Sequence, residues 1–184
     1  MGNPGPEFEG SLHNAGADAV MLLAERAGAT LKTEKGTRAR AVVTKLGGKS
    51  VALAVPTTYM NDSGAAAHSL VSRYGIDDPT ALIVVHDELD LPPGTVRIKA
   101  GGGLAGHNGL RSLEAHLHTT DFLRVRIGVG KPTSAAQGAN HVLSRPSKSV
   151  RAALAESIGV AAEAVERILS DGLESATQWC HSLR

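Results

Sequence analysis

The stretch Ala81-Leu82-Ile83-Val84-Val85-His86-Asp87-Glu88-Leu89-Asp90-Leu91-Pro92-Pro93-Gly94 decides the fold class. Leu82 to His86 is short, branched and apolar at successive positions, so both of its faces are expected to be buried. That is the signature of a strand inside a sheet covered by helices on two sides. The apolar run then stops at His86-Asp87-Glu88, with a proline pair and a glycine to turn the chain. Polar groups at the carboxyl end of such a strand lie where α/β folds place their sites.

Working outward, strands and helices alternate. Thr95 to Ala100 and Leu123 to Val129 read as further strands, the latter with Arg124 and Arg126 on one face and Val125 and Ile127 on the other. Arg38 to Lys45 and Ser50 to Val55 read as a hairpin turned at Gly47-Gly48. Val20, Leu23, Ala24 and Ala27 share a helix face that Gly28 ends. Ala67, Leu70, Val71 and Tyr74 mark a second helix stopped by Gly75, and Leu110, Leu113 and Leu117 a third. Val150, Leu154, Ile158, Val165 and Ile168 predict one long final helix with Gly172 near its end. The expected fold is α/β: a single domain over residues 1–184, with a mixed central sheet and helices on both faces.

Composition limits the function classes. Apolar residues at 42% and charged residues at 20% suit a soluble globular protein, and aromatics at 3% leave the core to aliphatic side chains. The apolar runs are too short to cross a bilayer, and no basic-then-apolar leader opens the sequence. A lone cysteine, Cys180, makes no internal disulfide and fits a reducing, cytoplasmic compartment; its place near the C-terminus predicts an exposed, frayed end. The net charge of +1 hides an uneven layout. Between Gly94 and Arg151 the basic residues are Arg97, Lys99, Arg111, Arg124, Arg126, Lys131, Arg145, Lys148 and Arg151, against only Glu114 and Asp121. That band points to an anionic partner such as phosphate, the plain alternative being a solvated surface.

Four polar clusters fall beside strand or helix ends. Gly2-Asn3-Pro4-Gly5 makes a sharp turn ahead of His13-Asn14, and His13 stands at a helix start, where the local potential favours the neutral imidazole a general base needs. Taken alone, His13 is more simply an incidental surface residue. Met60-Asn61 precedes Ser63-Gly64; Met60 is core filler or a flexible ligand wall, and Asn61 or Ser63 is a helix cap unless the Asn61 amide faces a ligand. Asp87 can accept a histidine ring N–H and fix its tautomer. Asp87, Glu88 and Asp90 together are too few ligands, at the wrong spacing, for a hard-cation cage. Gly101-Gly102-Gly103-Leu104-Ala105-Gly106-His107-Asn108-Gly109 permits close backbone approach but lacks the Lys-Ser or Lys-Thr of a phosphate loop, and Asn108 has a plain role as the cap of the third helix. Without a Gly-x-Ser-x-Gly elbow, no covalent nucleophile is supported. One base, one carboxylate and three asparagines suit attack by an activated water on an ester.

These clusters, in order, resemble the bacterial peptidyl-tRNA hydrolase family. The match runs from Gly2-Asn3-Pro4-Gly5 and His13-Asn14, through Tyr59-Met60-Asn61 with Ser63-Gly64 and His86 to Pro92, to Gly101-Gly102-Gly103 with Gly106 to Arg111 and Phe122 to Gly130. The resemblance implies a monomeric three-layer α/β/α sandwich that needs no metal or other cofactor and cuts the ester between a peptide and the 3′-terminal ribose of tRNA. It implies that His13 is the base, Asp87 its orienting partner and Asn3 part of the catalytic set. Asn3, Phe8, Met60, Asn61, His107 and Asn108 are placed around the peptide and the tRNA 3′ end, and Lys99 and Arg126 at the tRNA 5′-phosphate. The family opens with a short apolar strand ending in Gly-Leu-Gly-Asn-Pro-Gly; here the sequence starts Met1-Gly2-Asn3, so that strand is expected to be missing and its neighbours open. Phe8 stands where the family has tyrosine, and Leu12 where it has arginine. The rival reading is an RNA-binding protein on the same fold without catalysis.

Overall fold

The structure, a computed structural model, describes residues 1–132, 134 and 137–183; Thr133, Ala135, Ala136 and Arg184 lie outside the described residues. Two short 3-10 turns, Pro6–Phe8 and Leu12–Asn14, lead into α1 (Ala15–Arg26). Then come β1 (Lys32–Glu34), β2 (Ala39–Leu46), β3 (Lys49–Pro56), α2 (Ser63–Arg73), β4 (Ile83–Glu88), β5 (Val96–Ala100), α3 (Asn108–Leu117), β6 (Leu123–Gly128), α4 (Gly138–Leu143), α5 (Lys148–Asp171) and α6 (Leu173–Ser182). Most of these elements match the periodicity of the sequence. β1 and α4 do not, because a three-residue strand and a six-residue helix are too short to show a period.

The strands form two groups of three, β1-β2-β3 and β4-β6-β5. The first is antiparallel throughout, and Gly47 (φ 54) and Gly48 (φ 77) both take the left-handed conformation that a two-residue hairpin turn requires. In the second, β4 runs parallel to β6 and β5 antiparallel to it, so the sheet is mixed. β4 is buried almost end to end, as its apolar run predicts. α1, α5 and α6 share the larger core cluster with β6, where Leu23, Val85, Val125, Ile127, Leu154 and Val165 meet; the smaller cluster joins Met60, Val84, Leu110, Leu113 and Phe122 on the other face. Each such side chain contributes about 1.5–3 kcal/mol by leaving water. α1 comes so close to β4 that a Cβ at Gly16 would overlap the Val85 carbonyl.

Among the described residues, β3 and β4 are each paired along one edge only. Their other edges border an apolar cavity of about 490 Å³ that Val20, Leu23, Ala67 and Leu70 also line. At one end of this cavity the Met1 amine donates to the Val85 carbonyl at 2.8 Å, and burial lowers its pKa to about 6 against the raising influence of Asp87 and Asp18.

Two expectations at the C-terminus are corrected. The long helix ends at Gly172 (φ 88), a conformation that breaks the helical ladder, and the chain resumes as α6. Cys180 is not on a frayed end. It is fully buried in α6 with its thiol on the Val96 carbonyl at 3.4 Å, because α6 covers the outer edge of β5. His181 assists there: its Nε2 lies 3.1 Å from both the N–H and the carbonyl of Ile98.

Candidate active site

Asp87 sits in β4 as the strand reaches its carboxyl end, 1% exposed. One of its oxygens, Oδ1, accepts two bonds: from His13 Nδ1 at 2.8 Å and from His107 Nε2 at 2.9 Å. Burial alone would raise the Asp87 pKa, but the electrostatic pull and hydrogen bonds of the His107 imidazole, and then those of His13, hold it well below the ordinary carboxylate range. Asp87 is therefore ionised and acts only as an acceptor. A proton on His13 Nδ1 leaves Nε2 with the lone pair, and among the described residues none hydrogen-bonds to that nitrogen. This is the tautomer a general base requires.

The role of His107 was not legible in the sequence, which pointed to Asn108 as the cap of α3. Instead His107 is the N-cap: its Nδ1 accepts the backbone N–H groups of Gly109 and Leu110 at 3.1 and 3.3 Å. A nitrogen that accepts carries no proton, so Nε2 does, and it donates to Asp87. The only available signal was the position, one residue ahead of a helix. His86, buried beside this pair with its ring 5.1 Å from that of His107, donates from Nδ1 to the Asp87 carbonyl at 2.7 Å. Burial, with the electrostatic influence of the His107 imidazole adding to it, lowers its pKa well below 6.5.

His13, Asp87 and His107 present three ligand atoms within 4.8 Å of one another, the spacing of a metal site. Their chemistry does not suit one. Both imidazoles aim N–H groups at the carboxylate, and the backbone bonds at His107 fix its tautomer, so a cation would have to displace two protons. The neighbouring acids are also engaged. Glu88 lies 3.7 Å from Arg126 and accepts the Asp90 N–H, and Asp90 pairs with Lys131 at 2.7 Å.

The asparagines lie on three separate segments: Asn3 in the N-terminal turn, Asn61 just ahead of α2 and Asn108 at the start of α3. Asn14 clasps Asn3, accepting its N–H at 2.8 Å and donating to its carbonyl at 3.0 Å. The Asn3 side-chain oxygen accepts the Met60 N–H at 2.7 Å, and among the described residues none accepts from its amide NH₂. Met60 itself is 3% exposed; its sulfur rests against Gly109, so the Met60 and His107-Asn108 segments are packed together. Asn61 and Asn108 are exposed, with no side-chain partner among the described residues. Ser63 does not cap α2; its hydroxyl donates back to the Met60 carbonyl at 2.8 Å. Phe8 meets the exposed Tyr59 edge to face at 6.2 Å, and Leu12 is buried in the core, where an aliphatic side chain suits the surroundings.

Lys99 and Arg126 lie on β5 and β6, outside the hydrogen bonds that join His13, Asp87 and His107. Lys99 lies opposite Arg124, and Arg97 opposite Arg126, so four cations share one sheet face. Like charges directly across strands repel, which makes this face receptive to an anion.

Comparison with known proteins agrees with this geometry. The family profile described as Peptidyl-tRNA hydrolase matches residues 1–184. The chain is 46% identical to the peptidyl-tRNA hydrolase of Cutibacterium acnes over 96% of its own length and 92% of that protein's. It is 45% identical to that of Frankia alni over 100% and 92%. Among solved structures it resembles peptidyl-tRNA hydrolase from Acinetobacter baumannii, with a TM-score of 0.91 at 36% identity, covering 96% of this chain and 89% of that one. A match over its full length, to relatives that share its fold at better than a third identity, places this chain in the peptidyl-tRNA hydrolase family.

Proposed function

We propose that this chain hydrolyses the ester that joins a peptide to the 3′-terminal ribose of tRNA. The observation that carries this reading is the His13–Asp87 bond at 2.8 Å, which leaves Nε2 with the lone pair that a general base needs. In the reaction, His13 Nε2 takes a proton from water as the water oxygen attacks the ester carbonyl. Asp87 stabilises the imidazolium that forms. The Asn3 amide, its oxygen already committed to Met60, points a donor at the developing oxyanion, and Asn61 and Asn108 hold the substrate. The ribose oxygen then leaves, taking the proton from His13. The products are a free peptide acid and a tRNA with its hydroxyl restored.

His107 supports Asp87 and borders the substrate, and Met60, also at the substrate, fixes Asn3 through its backbone. Phe8 borders the peptide side of the site. Lys99 and Arg126 receive the tRNA 5′-phosphate, so Lys99→Ala and Arg126→Ala weaken tRNA substrates more than short esters, and binding weakens as salt rises. Residues 1–184 act as one domain, monomeric and cytoplasmic; among the described residues no helix is long and apolar enough to cross a membrane.

The test is release of the acyl group from an N-acetyl-aminoacyl-tRNA, with and without a chelator. His13→Ala is expected to lower turnover by roughly 10²–10⁴-fold, with its melting temperature retained. A His13→Ala protein that keeps its activity removes the base. Binding without release by the unaltered chain favours a non-catalytic RNA binder.

A further inference from the structure

Arg124 is among the largest fully buried side chains, 1% exposed. A buried guanidinium ordinarily needs a carboxylate. Glu88, the acid whose charge acts on it, lies instead at ion-pair distance from Arg126. The Arg124 guanidinium donates to three consecutive backbone carbonyls: Gly103 at 2.9 Å, and Gly101 and Gly102 more closely still. The Phe122 ring lies 5.6 Å from it. Three successive carbonyls converge on one group only if the chain curls, and Gly101 (φ 59) and Gly102 (φ 90) supply the left-handed backbone for that.

The curled loop carries a second cation. A Cβ at Gly102 would lie 2.7 Å from Lys99 Cε and 2.8 Å from its Nζ, so the end of the Lys99 side chain rests on the bare Gly102 backbone. Lys99 faces Arg124 across the β5–β6 ladder, and among the described residues it has no carboxylate partner. Its ammonium is placed by the loop. Farther along, His107 is anchored separately, by Asp87 and by the N–H groups of α3.

We propose that Arg124 is a positioning residue for phosphate recognition: by drawing the carbonyls of Gly101, Gly102 and Gly103 onto its guanidinium, it sets the loop against which Lys99 presents its ammonium to a phosphate of the tRNA. This rests on the reading of Lys99 given above. The buried charge also raises the positive potential of that sheet face.

Steady-state kinetics on three substrates separates the possibilities: N-acetyl-aminoacyl-tRNA, the same tRNA stripped of its 5′-phosphate, and an N-acetyl-aminoacyl-adenosine ester. Arg124→Gln is expected to raise KM for the tRNA about tenfold, the size of one charge-assisted phosphate contact. KM for the adenosine ester is expected to move by less than about twofold. Arg124→Lys, which keeps the charge but not the fork, recovers part of the loss. If the loss vanishes on the stripped tRNA, the phosphate is the terminal one; if it persists there, it is an internal phosphodiester, and either result supports the assignment. Equal losses on all three substrates overturn it. Lys99→Ala is the control on the underlying reading: if it shows no preference for tRNA, phosphate binding by Lys99 falls, whereas a selective Lys99→Ala with an unselective Arg124→Gln sinks only the positioning role. Should Arg124→Gln not fold, Gly102→Ala displaces Lys99 with Arg124 intact. It must then show the same selective loss, and an unselective effect counts against the proposal.

Discussion

Replacing Asp87 with asparagine keeps the size of the side chain and removes its charge. In the intact protein Oδ1 receives N–H groups from His13 and His107 at 2.8 and 2.9 Å, in a position 1% exposed to solvent. As His13 takes a proton from water, a full positive charge forms beside that oxygen. Two unit charges about 4 Å apart attract by about 4 kcal/mol at an effective dielectric constant of 20. That converts to a rate loss of about 10³-fold. A second effect adds to it: the asparagine NH₂ turned toward His13 would favour the opposite imidazole tautomer, with the proton on Nε2 and no lone pair for water, and such a change has cost about 10⁴-fold in a serine protease. The expected loss in kcat is therefore about 10³–10⁴-fold. KM should stay within a few-fold, since Asp87 is closed off from substrate. The assay is single-turnover release of the acyl group from N-acetyl-aminoacyl-tRNA, with thermal melting in parallel to show that the fold persists. A folded Asp87→Asn protein within tenfold of the parent rate refutes the argument, because the buried carboxylate would then be irrelevant to the proton transfer.

Two further outcomes concern stability and reactivity. His86 is neutral in the fold because its pKa is pushed well below 6.5 by burial, while the unfolded chain binds a proton there; stability from this group is complete above pH 6.5 and is lost as pH falls below it. Urea titrations between pH 7.5 and 5 should show His86→Asn removing a slope of about 1.4 kcal/mol per pH unit, and an unchanged slope would discredit the assignment. The Asp87 contribution has the same sign but another window: it too is lost as pH falls, but only below the ordinary carboxylate value of 3.8, outside the range of those titrations. The Cys180 thiol, fully buried and with its pKa raised chiefly by burial, should react with a disulfide reagent about 100-fold more slowly than a free thiol until the protein unfolds. Rapid labelling in buffer would show that α6 does not stay docked on β5.

Residue order alone determined much of this protein. The branched run ending at His86 specified a strand buried on both faces, since no other short element hides successive apolar side chains. The glycine pair at 47–48 specified a hairpin, since few other residues take its backbone angles. The identities of His13, Asp87, Asn3, Asn61 and Asn108 were also visible as polar clusters beside strand and helix ends. The meeting of His13 with Asp87 was decided by tertiary structure, because the two are 74 positions apart and only the packing of α1 and the turn before it on β4 closes that distance. The same holds for the second histidine on Asp87, the sealing of Cys180 beneath the outer strand and the winding of three glycines around Arg124. Each depends on a through-space partner far along the chain, and a one-dimensional pattern carries the period of a local element but not the identity of what that element will touch.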